Sequence, residues 1–159
     1  MTTPYPLTFE PILKEKVWGG RRLERYGKRL EPGRRYGESW EVADLAATSA
    51  SGGGGAAAVS VIANGALAGR TIGEAIAAWG VGLLGEAGMK RASVFGEQTG
   101  AGRPIFPLLL KYLDASEHLS VQVHPSPAYA AAHPGAHLKT ESWWVLEIGR
   151  ASCRERVSF

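Results

Sequence analysis

Short apolar segments separated by glycine and proline are the feature that most constrains the fold of this chain. Each has four to eight residues and is rich in Val, Ile, Leu and aromatic side chains. Segments of this length with this punctuation are typical of β-strands in a sandwich or barrel. The sequence therefore predicts a mainly β fold. Its strand candidates are 7–10, 39–43, 59–63, 105–112, 119–124 and 142–146.

Two helices and two loops are predicted between the strand candidates. Thr71 with Glu74 three residues later predicts a capping box at the start of a helix that continues to Trp79. Ser126 before Pro127 predicts a second, shorter helix. The Gly/Ala tract 50–58 has too little apolar surface to order itself and predicts a mobile loop, and the glycines of 96–102 predict another flexible connection.

Polar side chains in two of the strand candidates predict a metal site. In a strand, alternate side chains share a face, so Ser120, Gln122 and His124 point one way, and Lys139 and Glu141 also share a face. If the strands are neighbours, an amide, an imidazole and a carboxylate meet, and these donors suit a divalent cation such as zinc. The alternative is a polar strand edge with a hydrogen-bonded histidine.

Six blocks of sequence follow one another in a recognisable order. They are PLTFEPILKEKVWGG at 6–20, GESWEVAD at 37–44, VSVIANG at 59–65, FPLLLKYLDA at 106–115, LSVQVHP at 119–125 and KTESWWVLE at 139–147. Together they resemble the type I mannose-6-phosphate isomerases of the short bacterial form, which are zinc enzymes of the cupin superfamily. The resemblance covers the amino-terminal half of such an enzyme. It implies a cupin-like jelly-roll β-sandwich with a small helical insertion, truncated before its second half.

The resemblance also implies a function and a cofactor. The family interconverts mannose 6-phosphate and fructose 6-phosphate through a cis-enediolate, so the expected substrate is a hexose 6-phosphate. Gln122, His124 and Glu141 correspond to three of the family's zinc ligands. The fourth, a histidine of the second half, is absent from this chain. One Zn²⁺ per complete enzyme is expected.

Four further residues are site candidates. The resemblance implies an active-site position for Lys139, with a role in proton transfer or substrate contact. An exposed surface lysine is the alternative. Lys111 and Ser120 are candidates for binding the sugar phosphate, the lysine as a point charge and the hydroxyl as a donor. Trp18 is expected to form a wall of the sugar pocket.

Three other tryptophans are expected to pack in the core, because large aromatic side chains most often do so. They are Trp40, Trp143 and Trp144.

The last twelve residues, 148–159, resemble the translation of a sequencing adapter and predict a non-native tail after a domain at 1–147. The tail contains three arginines and one glutamate, so the net charge falls from +3 to about +1 without it, and no nucleic-acid-binding surface is indicated. It also contains the only cysteine, Cys153, so the remaining chain has no thiol and a reducing cytoplasm is expected. No apolar run approaches the length of a membrane span.

Two other functions remain open from the sequence. A non-catalytic cupin could bind a sugar or a metal in the same cavity. Alternatively, a chain with half of its barrel missing is expected to be a weak enzyme or an inactive fragment, with strand edges exposed. The sequence does not indicate an oligomeric state.

Overall fold

A computed structural model describes residues 3–45, 58–119, 121–133 and 139–148 of the chain. It divides into two compact units, Met1–Ser120 and Val121–Phe159, and each is described here by itself. The predicted Gly/Ala loop lies outside the described residues except for Ala58, and the predicted non-native tail does so except for Ile148.

An antiparallel sheet of three strands forms the centre of the first unit. Strand β1 is Ile12–Gly20, β2 is Tyr36–Val42 and β5 is Leu110–Leu113, in the order β1-β2-β5. A second antiparallel pair joins β3, Asp44–Leu45, to β4, Ala58–Val59. These sheets, with few helices beside them, confirm the mainly β class.

The core of the first unit is built on the central strand. Trp40 of β2 faces Ile12 on one neighbouring strand and Lys111 on the other, and its side chain is only 2% exposed. Ala43 and Ala58 complete the buried cluster around it. Truncating a tryptophan in such a position typically costs about 3–5 kcal/mol. The prediction that Trp40 packs in the core is confirmed.

Helix α1, Ile72–Trp79, begins where the sequence predicts it. The Thr71 hydroxyl accepts a hydrogen bond from the Glu74 amide at 3.2 Å, and the Glu74 carboxylate accepts one from the Thr71 amide at 2.8 Å. This is a complete capping box. The apolar face of the helix buries Ala75 and Trp79 against Ile62.

Helix α2, Val81–Gln98, was not predicted from the sequence. Its glycines lower helix propensity, and Gly85 interrupts the helix with φ 69° and ψ 169°. The helix continues to Gln98, so the prediction of a flexible connection over 96–102 was wrong for residues 96–98. A Cβ on Gly96 would lie 1.9 Å from the carbonyl oxygen of Arg103, because the returning chain passes directly over this turn.

A buried ion pair fastens the segment after α2 to strand β3. The Arg103 guanidinium donates to both oxygens of Asp44, at 2.9 and 2.6 Å, and the amide of Phe106 donates to the same carboxylate at 3.0 Å. The Asp44 side chain has no exposure, whereas that of Arg103 is 41% exposed. The pair fixes the chain just before it enters β5.

The second unit contains helix α3, Pro127–Ala132, with Ser126 as its N-cap as predicted. The described parts of 119–124 and 142–146 form no strand, so those two strand predictions were wrong. Neither segment pairs with a neighbouring strand, and the period-two rule therefore does not apply to them. Val121 and Val123, which that rule assigns to a packed face, are almost fully exposed. None of the helices in the described ranges is both long and apolar enough to cross a membrane.

Candidate functional site

His124 and Glu141 lie side by side in the second unit, although no strand pairing brings them together. The Nε2 atom of His124 is 3.2 Å from Oε2 of Glu141. Both side chains are half-buried, with exposures of 31% and 25%. An imidazole and a carboxylate at this distance form either a hydrogen bond or the two neighbouring ligands of a cation.

Glu141 has a different set of neighbours at each carboxylate oxygen. Oε1 contacts the ammonium of Lys139, while Oε2 faces His124 and also accepts from the indole N–H of Trp143 at 3.4 Å. The pKa of Glu141 is lowered to about 2, chiefly by the hydrogen bond from Lys139, with smaller contributions from His124 and Trp143, and burial opposes the shift. The carboxylate is therefore ionised at neutral pH, as a metal ligand must be.

His124 and Glu141 supply two donor types that divalent cations such as zinc accept, an imidazole nitrogen and a carboxylate oxygen. Zinc binds histidine nitrogen and carboxylate oxygen at about 2.0–2.1 Å in a tetrahedral arrangement, which places neighbouring donor atoms about 3.3 Å apart. The 3.2 Å between His124 and Glu141 matches that spacing. Gln122, the third predicted ligand, is exposed. Among the described residues, no group of three or more His, Cys, Asp or Glu side chains could hold a metal ion.

Trp18 is held at the end of β1 by close packing on a glycine. A Cβ on Gly37 would lie 2.5 Å from Cζ3 of Trp18, so the indole ring rests directly on the backbone of β2. Ser116 donates from its amide to the Trp18 carbonyl at 2.9 Å and from its hydroxyl to the Gly19 carbonyl at 2.7 Å. Arg35 donates to the same Gly19 carbonyl at 2.8 Å. The corner that carries Trp18 is therefore fixed from several sides.

These contacts around Trp18 were not found by sequence reasoning. Arg35 and Ser116 are 81 residues apart in the chain, yet the guanidinium donates to the hydroxyl at 2.6 Å. Neither residue belongs to a recognisable short motif. The only signal was the pair of glycines after Trp18, which permits a close approach of backbones.

Lys111, a candidate phosphate ligand, is paired within the first unit. Its ammonium lies 3.3 Å from Oε1 of Glu38, and Oε2 of Glu38 accepts from the Trp40 indole at 2.6 Å. Glu38 is almost fully buried, so its contact with Lys111 sets the position of the lysine. Ser120, the other phosphate candidate, lies outside the described residues.

Trp143 and Trp144 do not pack in a core, and that prediction was wrong. The side chain of Trp143 is 59% exposed and that of Trp144 is 87% exposed. The described residues of the second unit form no β-sheet on which these rings could pack. The indole N–H of Trp143 instead donates a hydrogen bond to the Glu141 carboxylate.

The chain is similar in sequence to several mannose-6-phosphate isomerases. No family model matches the chain. It is 38% identical over 148 residues to the mannose-6-phosphate isomerase ManA of Bacillus subtilis, covering 92% of this chain and 38% of that protein. It is 36% identical over 145 residues to the probable mannose-6-phosphate isomerase GmuF of the same organism, covering 90% of this chain and 38% of that protein. The mannose-6-phosphate isomerase of Streptococcus mutans is 36% identical to it over 141 residues, covering 89% of this chain and 37% of that protein.

The fold comparison agrees with the sequence comparison. The crystal structure of the mannose 6-phosphate isomerase from Bacillus subtilis matches with a TM-score of 0.54 and 28% identity, covering 84% of this chain and 34% of that one. The chain thus spans a little over a third of the length of the relatives it matches, which fits their amino-terminal portion. Sequence and fold together confirm the resemblance seen in the motifs, and they show that the chain is similar to the amino-terminal portion of mannose-6-phosphate isomerases.

Proposed function

We propose that the complete protein is a zinc-dependent aldose-ketose isomerase that interconverts mannose 6-phosphate and fructose 6-phosphate. The similarity to named mannose-6-phosphate isomerases supports the reaction class and a hexose 6-phosphate substrate. The observation that carries the metal site is the 3.2 Å approach of His124 to an ionised Glu141. Gln122 is the third ligand in this proposal.

The proposed chemistry moves a proton between C2 and C1 of the open-chain sugar through a cis-enediolate. The bound cation supplies a Lewis acid for the negative charge that develops on the sugar oxygens, an effect worth several kcal/mol in a site shielded from water. His124 and Glu141 hold the cation only when the imidazole is neutral and the carboxylate ionised. The pKa of Glu141, lowered to about 2, supports an ionised carboxylate at neutral pH.

Lys139 is the proposed group for proton transfer or substrate contact. Its ammonium contacts Oε1 of Glu141, so the side chain lies beside a proposed metal ligand. A group that transfers a proton must lie within hydrogen-bond reach of the reacting atoms, and this position supports the proposal.

Three residues outside this cluster are proposed to bind the substrate. Trp18 offers an aromatic wall for the sugar, and its fixed position on Gly37 supports that role. Lys111 offers a positive charge for the phosphate, held in place by Glu38. Ser120 offers a hydroxyl donor.

The 159-residue chain itself is proposed to be a weak enzyme or an inactive fragment. It spans about 38% of the curated relatives, and its described residues supply fewer strong ligands than a closed zinc site uses. We further propose a cytoplasmic location, because residues 1–147 contain no cysteine for disulfides. A non-catalytic cupin that binds a sugar or a metal is the alternative, and turnover by a chain of the relatives' full length would exclude it.

Metal titration of the purified chain tests the proposed site. We expect uptake of one Co²⁺ or Zn²⁺ per chain, and a loss of affinity of at least about tenfold in His124→Ala, which removes a ligand, and in Glu141→Gln, which removes the negative charge of one. His133→Ala is the matched control, since this exposed histidine stacks on Tyr129, with ring centroids 3.9 Å apart, and its Nδ1 contacts the Tyr129 carbonyl. Equal metal affinity in all three variants and the parent chain would refute the site.

A further inference from the structure

We propose that Asp114 is a positioning residue for Trp18, acting through the glycine corner that follows the tryptophan. The inference rests on the proposed function, because Trp18 is the side chain proposed to form a wall of the sugar pocket. It goes beyond that function because neither the motifs nor the proposed site gives Asp114 a role.

Asp114 joins the two stretches of backbone that hold Trp18. It directly follows β5, and its amide donates to the carbonyl of Gly37 at 2.9 Å. Gly37 is the residue on which the Trp18 ring rests. The side-chain Oδ2 of Asp114 accepts from the Arg22 amide at 2.6 Å, in the turn just after the corner. One residue therefore fixes both the strand beneath the ring and the chain that leads away from it.

The corner after Trp18 depends on contacts from outside it. Gly19 and Gly20 follow each other there, and two glycines leave the backbone few conformational restraints of its own. A Cβ on Gly20 would lie 2.6 Å from Oδ2 of Asp114, so the carboxylate packs directly on this glycine. Asp114 is only 4% exposed. The restraint on the corner is therefore supplied by a side chain that is itself held in place.

Stability alone does not account for a carboxylate at position 114. Its Oδ1 atom is buried, yet no described residue donates a hydrogen bond to it. An unpartnered buried oxygen costs free energy of folding, and each such group in a folded protein calls for an explanation. Holding a binding residue in one orientation is such an explanation, because the supporting residues set how precisely a site is formed. Trp18 is half-buried, so part of its surface stays open to a ligand.

The test follows Trp18 by fluorine NMR of the full chain labelled with fluorinated tryptophan. The chain has five tryptophans, and Trp18→Phe identifies the Trp18 resonance. Asp114→Ala removes the acceptor for the Arg22 amide, whereas Asp114→Asn keeps an oxygen for it. Ser60→Ala is the matched control, since this buried hydroxyl also accepts from a backbone amide, that of Ala43 at 2.8 Å, beside the β3–β4 pair.

We expect Asp114→Ala to shift the Trp18 resonance and to weaken binding of mannose 6-phosphate about two- to tenfold, the range of one aromatic contact. Asp114→Asn and Ser60→Ala should keep the parent's resonance and bind within about twofold of it. Calorimetric titration measures the affinity, and circular dichroism checks folding. If Asp114→Ala does not fold, Asp114→Ser replaces it, because its shorter side chain moves the oxygen away from the Arg22 amide.

The outcomes decide between the inference and the proposed function. A shifted resonance with weaker binding in Asp114→Ala, and neither change in Ser60→Ala, support the inference. Parent-like affinity in Asp114→Ala, while Trp18→Ala weakens binding, overturns the role of Asp114 and leaves the proposed wall intact. Equal effects in Ser60→Ala also overturn that role, because they indicate a general loosening of the unit. Parent-like affinity in Trp18→Ala, or no binding by the parent chain, overturns the inference and the proposed wall together.

Discussion

Replacing Arg103 by methionine tests whether the buried ion pair with Asp44 holds the first unit together. The Asp44 side chain has no exposure and accepts three hydrogen bonds, two of them from Arg103. Removing one partner of a buried pair typically costs about 3–5 kcal/mol, because the other charge is left without a partner. Arg103 is 41% exposed, and water can approach its side of the pair. We therefore expect the free energy of unfolding to fall by about 2–3 kcal/mol.

A double-mutant cycle separates the ion pair from simple loss of packing. Asp44→Asn keeps the shape and an acceptor for the Phe106 amide but removes the charge. In the Asp44→Asn background, Arg103→Met should cost about 1–2 kcal/mol less than it does alone. Urea unfolding followed by tryptophan fluorescence measures each variant, since Trp40 and Trp79 are buried in this unit.

The control for this cycle is a surface pair in the same unit. Arg34 and Glu15 are both about half exposed, so Arg34→Met should change stability by less than about 0.5 kcal/mol. A cost for Arg103→Met no greater than that of the control, or strict additivity with Asp44→Asn, would refute the reasoning.

Two further predictions concern the helices of the first unit. Thr71→Ala removes the N-cap of α1 and should cost about 1 kcal/mol in urea unfolding. The pKa of Glu74 is lowered by the hydrogen bonds from Thr71 and, to a smaller extent, by Arg70. The stability that the capping box contributes is therefore complete above the unfolded pKa, near 4.5, and is lost as the pH falls through the lowered pKa of the folded state. A cost of Thr71→Ala that is the same at pH 7 as at a pH below the lowered pKa of Glu74 would contradict this. Gly96→Ala should destabilise by more than about 2 kcal/mol, because its Cβ would overlap the Arg103 carbonyl, whereas Gly88→Ala meets only a side chain at 3.1 Å and should be tolerated.

Local sequence signals predicted the parts of this fold that depend on neighbouring residues. The capping box at Thr71 and the cap at Ser126 are confirmed because each needs only a few adjacent positions. Strand β2 was predicted, with its start three residues later than observed, because Trp40 and Val42 alternate with the polar residues Ser39 and Glu41. Helix α2 was missed because the glycines hide its periodicity, and packing of Gly96 under Arg103 stabilises a turn that propensity disfavours.

The candidate site was predicted by family resemblance more than by local physics. His124 and Glu141 are close together as expected, but the strand alternation used to place them is absent from the described segments. Alternation indicates which side chains share a face only where a strand pairs with a neighbour. Glu38, the partner of Lys111, is 73 positions away, and Ser116, which donates to the Trp18 carbonyl, is 98 positions away. No pattern within a short window reports such contacts.

The position of β2 between β1 and β5 has a consequence for how the chain folds as it is synthesised. Strands β1 and β2 can pair early. The ion pair between Glu38 and Lys111 can form only after Lys111, 73 residues later in the chain, has been synthesised. Closing so long a loop is slow compared with forming a hairpin, so one edge of β2 stays open to other strands in the interval. Nascent chains released before β5 emerges should therefore depend on chaperones, whereas those that include it should not.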